Sequence, residues 1–284
     1  MSMLRSSFGL IVRWIAALVL AAPIFLSADD LEKRVDTEYC ALTDDPSAHV
    51  NRLVEIELLG EPARKALLSV ASSKKPQAGC ALHYLFDLKD QRAIPIIRKI
   101  LRDPRADVGM KESAIAGVGV FKDMESLDEV LEAFQSGRFI GQAPLALAAL
   151  RDERGLRALR EALKDPKLRF AVVDAVGFYG HVEAVELLKE LMDDPRIAKY
   201  GFMRMELVLS LGRIGTPRSR RLAFELYDST KDEKLRRGLS LDLFGVFLKQ
   251  RRQSRDEAEI RDINEYMSKL RTDPGASESI KAIP

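Results

Sequence analysis

Apolar residues recur along this chain at helical spacing, and the spacing itself repeats. In residues 155–167, Leu156, Leu159 and Leu163 fall on one stripe of a helix with about 3.6 residues per turn. In residues 184–196, Val185, Leu188 and Leu191 do the same. Segments 62–74, 93–105, 126–138, 155–167, 184–196 and 219–231 can be laid on one another, with starts 31, 33, 29, 29 and 35 residues apart. Asp-Pro closes three of them, at 103–104, 165–166 and 194–195. Proline lacks the N–H that a helix needs and turns the preceding residue away from helix. A second apolar stretch follows each segment, at 77–87, 110–121, 139–150, 168–179, 200–211 and 233–250. A period of this length predicts stacked helical hairpins, none of which buries its apolar face alone.

Small residues recur inside the second helices: Ala114, Ala116, Gly117 and Gly119; Ala146, Ala148 and Ala149; Ala171, Ala175 and Gly177. Glycine inside a helix costs about 1 kcal/mol against alanine, so its recurrence implies close helix contacts. The pattern L-x-x-L-x-x-x-L-x-D-P … R-x-x-A-x-x-A-(L/V)-G, clearest in 156–177, resembles the short HEAT-like repeats of phycobilisome-lyase-type proteins. The resemblance covers about residues 60–250. It implies an all-α, right-handed α-solenoid of about six hairpins, usually a binding scaffold. Two copies depart from it. Residues 126–150 carry Ser136-Gly137 in place of Asp-Pro and Ile140 in place of the base, and residues 219–250 carry Asp228-Ser229-Thr230.

The ends read differently. Residues 1–28 have Arg5 and Arg13, then an uncharged apolar run at 14–26, then Asp29-Asp30. This is the plan of a secretory signal, with an uncleaved membrane anchor as the alternative. Export to a periplasmic or extracellular space is expected, with anchoring to the membrane by this segment as the alternative. Residues 29–59 are expected to form N-terminal capping helices and 251–271 a polar C-terminal cap with Ile260, Ile263 and Met267 inward. Residues 272–284 read as a loose tail. Cys40 and Cys80 either form a disulfide in an exported chain or sit apart as buried thiols.

Without residues 1–28 the 43 acids are matched by an equal number of bases, so no global attraction to nucleic acid or anionic membrane remains. Charge is unevenly spread, however. Residues 29–60 carry nine acids and three bases, while 213–255 carry twelve bases and five acids. That asymmetry points to steering of an acidic partner or to head-to-tail self-association, against the plainer reading of solvated helix faces.

A search for chemistry finds no catalytic constellation. His49, His83 and His181 lie in different repeats, without H-E-x-x-H or paired cysteines, so no metal site is expected. No phosphate loop and no G-x-S-x-G turn occur, and no cofactor is expected. His181 reads as a polar cap at a helix end. Lys111, Arg169, Arg204 and Arg237 share one repeat position, eight residues before a glycine. They are read mainly as ties to the loop acids Asp103, Asp165, Asp194 and Asp232, in preference to an acidic partner's ladder. The expected function is an exported scaffold that binds a protein through its concave face, without catalysis. Arg169, Asp174, Arg204, Glu206, Arg237 and Asp242 are expected to face outward, with Tyr179 beside them. A structural subunit of an envelope complex and a bilin-lyase-like enzyme are the alternatives.

Overall fold

The structure, a computed structural model, describes residues 26–41, 47–192, 194 and 201–281. Most of the segment read as a signal lies outside the described residues, as does Pro195. Every regular element among the described residues is helical, and none is long and apolar enough to cross a membrane. The chain divides into two compact units, Met1–Ala93 and Ile94–Pro284. The boundary follows the first hairpin, which therefore groups with the N-terminal helices.

The first unit contains α1 (Ala28–Arg34), α2 (Ala48–Leu59), α3 (Glu61–Ala71) and α4 (Ala78–Asp87). Ser27 begins α1 with a capping box, its hydroxyl accepting from the Asp30 N–H while the Asp30 carboxylate accepts from the Ser27 N–H. A π-helical turn, Val35–Tyr39, ends α1 and puts Tyr39 into the core, where the Tyr84 hydroxyl donates to its carbonyl. Cys40 and Cys80 are joined as a disulfide with Cα atoms 5.8 Å apart, tying this turn to α4. Helix α2 buries only Ile56.

The second unit stacks five hairpins: α5 (Ile94–Arg102) with α6 (Val108–Phe121), α7 (Leu127–Gln135) with α8 (Ala143–Leu150), α9 (Glu153–Ala162) with α10 (Arg169–Phe178), α11 (Val185–Met192) with α12 (Gly201–Ile214), and α13 (Pro217–Asp228) with α14 (Glu233–Gln253). A capping helix α15 (Glu257–Thr272) and a short α16 (Glu278–Lys281) follow. Counting α3–α4 of the first unit, the described residues hold six helical hairpins, in the all-α class expected.

Each second helix passes to the next hairpin through a single left-handed residue: Lys89, Lys122, Arg151, Gly180 and Gly215. The following residue, Asp90, Asp123, Asp152, His181 or Thr216, starts the next helix pair. Its role is local capping at Asp152 and Thr216, whose side chains accept from the N–H groups of Arg154 and Ser219. At Asp123 it also reaches back, pairing with Arg98 of the preceding hairpin at 2.6 Å. The Arg98 guanidinium holds the buried Asp123 carboxyl below the usual carboxylate range.

The second helices form a row, α6–α8–α10–α12–α14, in which small residues set the spacing. A Cβ on Gly119 would lie 3.1 Å from the Ala146 Cα, and one on Gly212 would lie 2.7 Å from Leu243 Cδ1. At Gly177 it would overlap Ser210 outright. Gly245 breaks the pattern: it is exposed, with open space where a Cβ would go.

Three expectations need correction. Helix α8 begins at Ala143, not Phe139, because Pro144 occupies its first turn while Phe139 is buried within the preceding loop. Helix α14 is set one residue off the register that Gly245 suggested. Residues 273–281 are packed, not loose: Asp273 accepts from Tyr227 and, at 2.8 Å, from Arg236, while Ala276 and Ile280 are buried. The cap α15 does place Ile263 and Met267 inward, with Leu270, and Ile260 half-buried. It is anchored by Arg220 of α13, which is fully buried and pairs with Asp262 at 2.8 Å and Glu259 at 3.2 Å.

The glycines give a paired prediction. Gly177→Ala must push two helices apart and should cost about 1–3 kcal/mol, whereas Gly245→Ala should stabilise by about 0.5–1 kcal/mol. Chemical denaturation of both variants checks this, and equal effects would contradict the assigned packing. A second prediction concerns the bridge, which closes a separation of 40 residues. Cys80→Ser should cost about 2–4 kcal/mol, and reductant should bring wild type to the variant's stability without moving the variant.

Candidate functional site

The shared basic position is mostly an internal tie. Arg169 is only 6% exposed; its Nε donates to the Leu163 carbonyl at 2.9 Å, and its Nη1 lies 3.5 Å from Asp194 of the next hairpin. Arg204 is half-buried and donates to the Leu226 carbonyl, Ser229 and Thr230 at the end of α13. In α14 the role passes to Arg236, which bonds Asp228 at 3.0 Å in its own hairpin and Asp273 beyond it. Arg237 is exposed instead, one residue out of register, and Lys111 is half-buried. Arg169 and Arg204 therefore do not face outward: Arg169 takes Asp194 and not Asp165, and Arg204 takes hydroxyls and a carbonyl. A guanidinium's five donors can satisfy carbonyls from two loops at once, which is what a joint between hairpins requires.

Glu206 is likewise not an outward side chain; it is 7% exposed. It and Asp174 nevertheless come together, although they lie on different helices. Arg213 on α12 holds both: its Nη1 is 3.1 Å from Asp174 Oδ1 on α10 and 3.1 Å from Glu206 Oε1. The Ser210 hydroxyl lies 2.9 Å from the Val173 carbonyl and 3.3 Å from Glu206 Oε1. Burial, and then the neighbouring Asp174 carboxylate, raises the Glu206 carboxyl above its ordinary 4.5, only partly opposed by Arg213 and Ser210. Two carboxyls and one guanidinium therefore meet where α10 and α12 approach most closely.

Aromatic side chains flank this cluster. On α10, Phe170, Asp174 and Phe178 follow one another at four-residue steps and share a face. Phe170 stacks on Phe202 of α12, with centroids 4.6 Å apart at 23°. Phe202 is 60% exposed and Phe178 63%, values unusual for rings this large. The Phe178 ring meets Tyr179 edge-on at 5.0 Å. Tyr179 is half-buried, burial raises its phenol pKa, and its carbonyl accepts from Arg151. Asp242 on α14 is exposed and stands apart from the cluster's ion pairs. The aromatic pair and Arg213 were not singled out in the sequence; the four-residue spacing of Phe170, Asp174 and Phe178 was the available signal.

Elsewhere the polar groups serve the fold. His181 is buried, with Nε2 donating to the Ala148 carbonyl at 2.7 Å, so it caps the end of the neighbouring α8. His49 pairs with Asp87 at 2.9 Å and stacks on Tyr84. Among the described residues no three His, Cys, Asp or Glu side chains are grouped to hold a metal ion. A groove of about 740 Å³ opens between α7 and α9 over Leu131, Phe134, Ile140 and Ala158. Its rim arginines are exposed and already paired, Arg154 with Asp128 and Arg157 with Glu153. The basic surplus at 213–255 is also partly spent internally, since Arg213, Arg218, Arg220 and Arg236 each pair with acids outside that window.

Residues 138–202, which include α8 to α11, match a family model described as HEAT repeats. Over that stretch the chain is similar to HEAT repeats. The match is to HEAT repeats in general and does not single out a lyase-type branch. No curated protein matches the chain. A solved structure of human deoxyhypusine hydroxylase in complex with glycerol is 18% identical, covering 77% of this chain and 97% of that one, with a TM-score of 0.31.

Burial at the α10–α12 joint raises the Glu206 carboxyl, and this has a consequence for pH. A carboxyl raised on folding holds its proton more tightly in the folded state. Its stabilising share is present below the unfolded value and is lost as pH rises through the folded one. Relative to Glu206→Gln, wild type should therefore lose melting temperature as pH goes from about 4 to about 7. Parallel melting curves across that range would contradict the assignment.

Proposed function

We propose that this HEAT-like repeat protein is an exported scaffold that holds a protein partner on the exposed faces of α10 and α12. HEAT repeats in general suggest a scaffold or protein-binding role. The observation that carries the reading is the pair of exposed rings, Phe178 and Phe202, on either side of the Asp174–Glu206–Arg213 cluster. Large rings surrounding a tied polar group have the make-up of an interface centre, where aromatic anchors supply area and fixed polar groups supply orientation. In this reading the carboxyl pair and Arg213 position a partner and carry no reaction. Export is supported by the Cys40–Cys80 bridge, since disulfides persist in oxidising compartments.

Site-specific photocrosslinking tests the proposal. A photoreactive phenylalanine analogue replaces Phe202 in one version of the chain and Val182, exposed at the start of the next hairpin, in another. In living cells, residue 202 should capture a discrete protein that residue 182 does not, and Phe178→Asp should abolish that capture without moving the melting temperature. Capture from both positions alike, or from neither, would overturn the assigned face.

A further inference from the structure

We propose that the chain associates head to tail with a second copy of itself, the exposed apolar face of α2 in one copy seating on α14 of the next. The proposal is independent of the function above, because neither helix contributes to the α10–α12 cluster.

Two unpartnered helix faces lead to it. On α2, Val50, Val54 and Leu58 are 59%, 47% and 54% exposed, and they occur at four-residue steps directly opposite the helix's buried residue, Ile56. Scattered exposed apolar residues are ordinary, but three on one stripe of one short helix mark a contact surface. Glu57 lies exposed beside the stripe, within a segment of nine acids and three bases. On α14, Lys234, Gly238, Leu241, Gly245, Lys249 and Arg252 share one stripe, and every one of them is exposed. Leu241 is 46% exposed at the centre of this basic stripe. Lys234, Lys249 and Arg252 form no ion pair among the described residues.

Dimensions and charge select the pairing. The α2 stripe spans roughly 12 Å, and the gap between Lys234 and Lys249 is roughly 22 Å at 1.5 Å per residue. The apolar stripe therefore fits over Leu241, with bases at both ends and Glu57 beside them. Asp242 borders the α14 stripe, and Arg237 on its other side lies close enough to Glu278 to help lower that carboxyl. Pairing α2 with another α2 would set together two copies of Glu57, the acid that α2 leaves without an ion pair among the described residues, and pairing α14 with another α14 would set two basic stripes together. Like-charge juxtaposition disfavours both, leaving the unlike pairing. Because two different faces meet, the contact is heterologous and grows into a short chain or a ring.

Sedimentation velocity on the purified chain tests this. The wild-type average mass should rise at least about twofold with concentration at low salt, and fall back as ionic strength screens the contact. Val54→Asp/Leu58→Asp removes one face and Leu241→Asp the other, and each variant should remain monomeric. Mixed in equal amounts they should form a dimer and nothing larger, because each supplies the face that the other lacks. Circular dichroism confirms that both variants are folded, and Lys234→Glu/Lys249→Glu supplies a second way of disabling α14. A wild type that stays monomeric throughout overturns the proposal. So does a single-face variant that still associates, or a mixture that does not.

Discussion

The close approach of the second helices sets the rest of the structure. Hairpins this thin bury apolar surface only against one another, and the distance between neighbours decides how much is removed from water. Gly119 against Ala146, Gly177 against Ser210 and Gly212 against Leu243 fix that distance along the row. The consequence reaches the candidate site directly. Asp174 and Glu206 belong to different hairpins, and Arg213 can hold both at 3.1 Å only because α10 and α12 cross where Gly177 meets Ser210. Glycine at 177 thus does two jobs, admitting the neighbouring backbone and bringing a second carboxyl into the field of the first. A raised carboxyl is the electrostatic outcome of a packing constraint.

Arginine supplies the second kind of joint. Arg169, Arg204 and Arg236 each reach from a second helix to loop carbonyls, hydroxyls or carboxylates, and Arg220 carries the same device to the terminal cap. Burying such a group is unfavourable unless its donors are taken up, so its placement is specific: removing one partner leaves a desolvated charge behind. This also explains why the local surplus of bases overstated the electropositive surface. Much of it is answered by acids elsewhere in the chain, such as Asp174, Glu186, Asp262 and Asp273. Among the bases that remain exposed, Lys234, Lys249 and Arg252 share one stripe of α14.

Much of the fold was legible in the chain because helical periodicity and Asp-Pro stops are local signals. Hairpin order, the helix boundaries to within a few residues and the inward stripe of α15 all follow from them. The errors share one cause: they concern which neighbour a side chain meets. A base eight residues before a glycine marks Arg169 and Arg204 correctly as structural, yet nothing local says that Arg169 reaches Asp194 and not Asp165. In α14 the glycine itself misled, since Gly245 faces solvent and Arg236, not Arg237, takes the tie. One further regularity is local as well. A basic residue or glycine followed by Asp, His or Thr recurs at 89–90, 122–123, 151–152, 180–181 and 215–216. Each marks the left-handed step between hairpins. The site was less legible than the fold, because Asp174, Glu206 and Arg213 occupy different positions within their repeats and meet only through the stack.

The first unit shows what happens where stacking gives less. Helix α2 contributes one buried side chain, Ile56, so packing alone orders it weakly. Polar and covalent ties make up the difference. Arg52 donates to the carbonyls of Tyr39 and Ala41 at 3.0 and 2.9 Å, His49 pairs with Asp87, and the Cys40–Cys80 bridge fixes the turn that Arg52 grasps. A cross-link acts mainly by narrowing the unfolded ensemble, so it adds stability without demanding apolar burial. That is why α2 can hold its place while keeping Val50, Val54 and Leu58 in water. A helix secured only by its core would have had to turn that stripe inward. One secured through its polar edge and a bridge is free to present it.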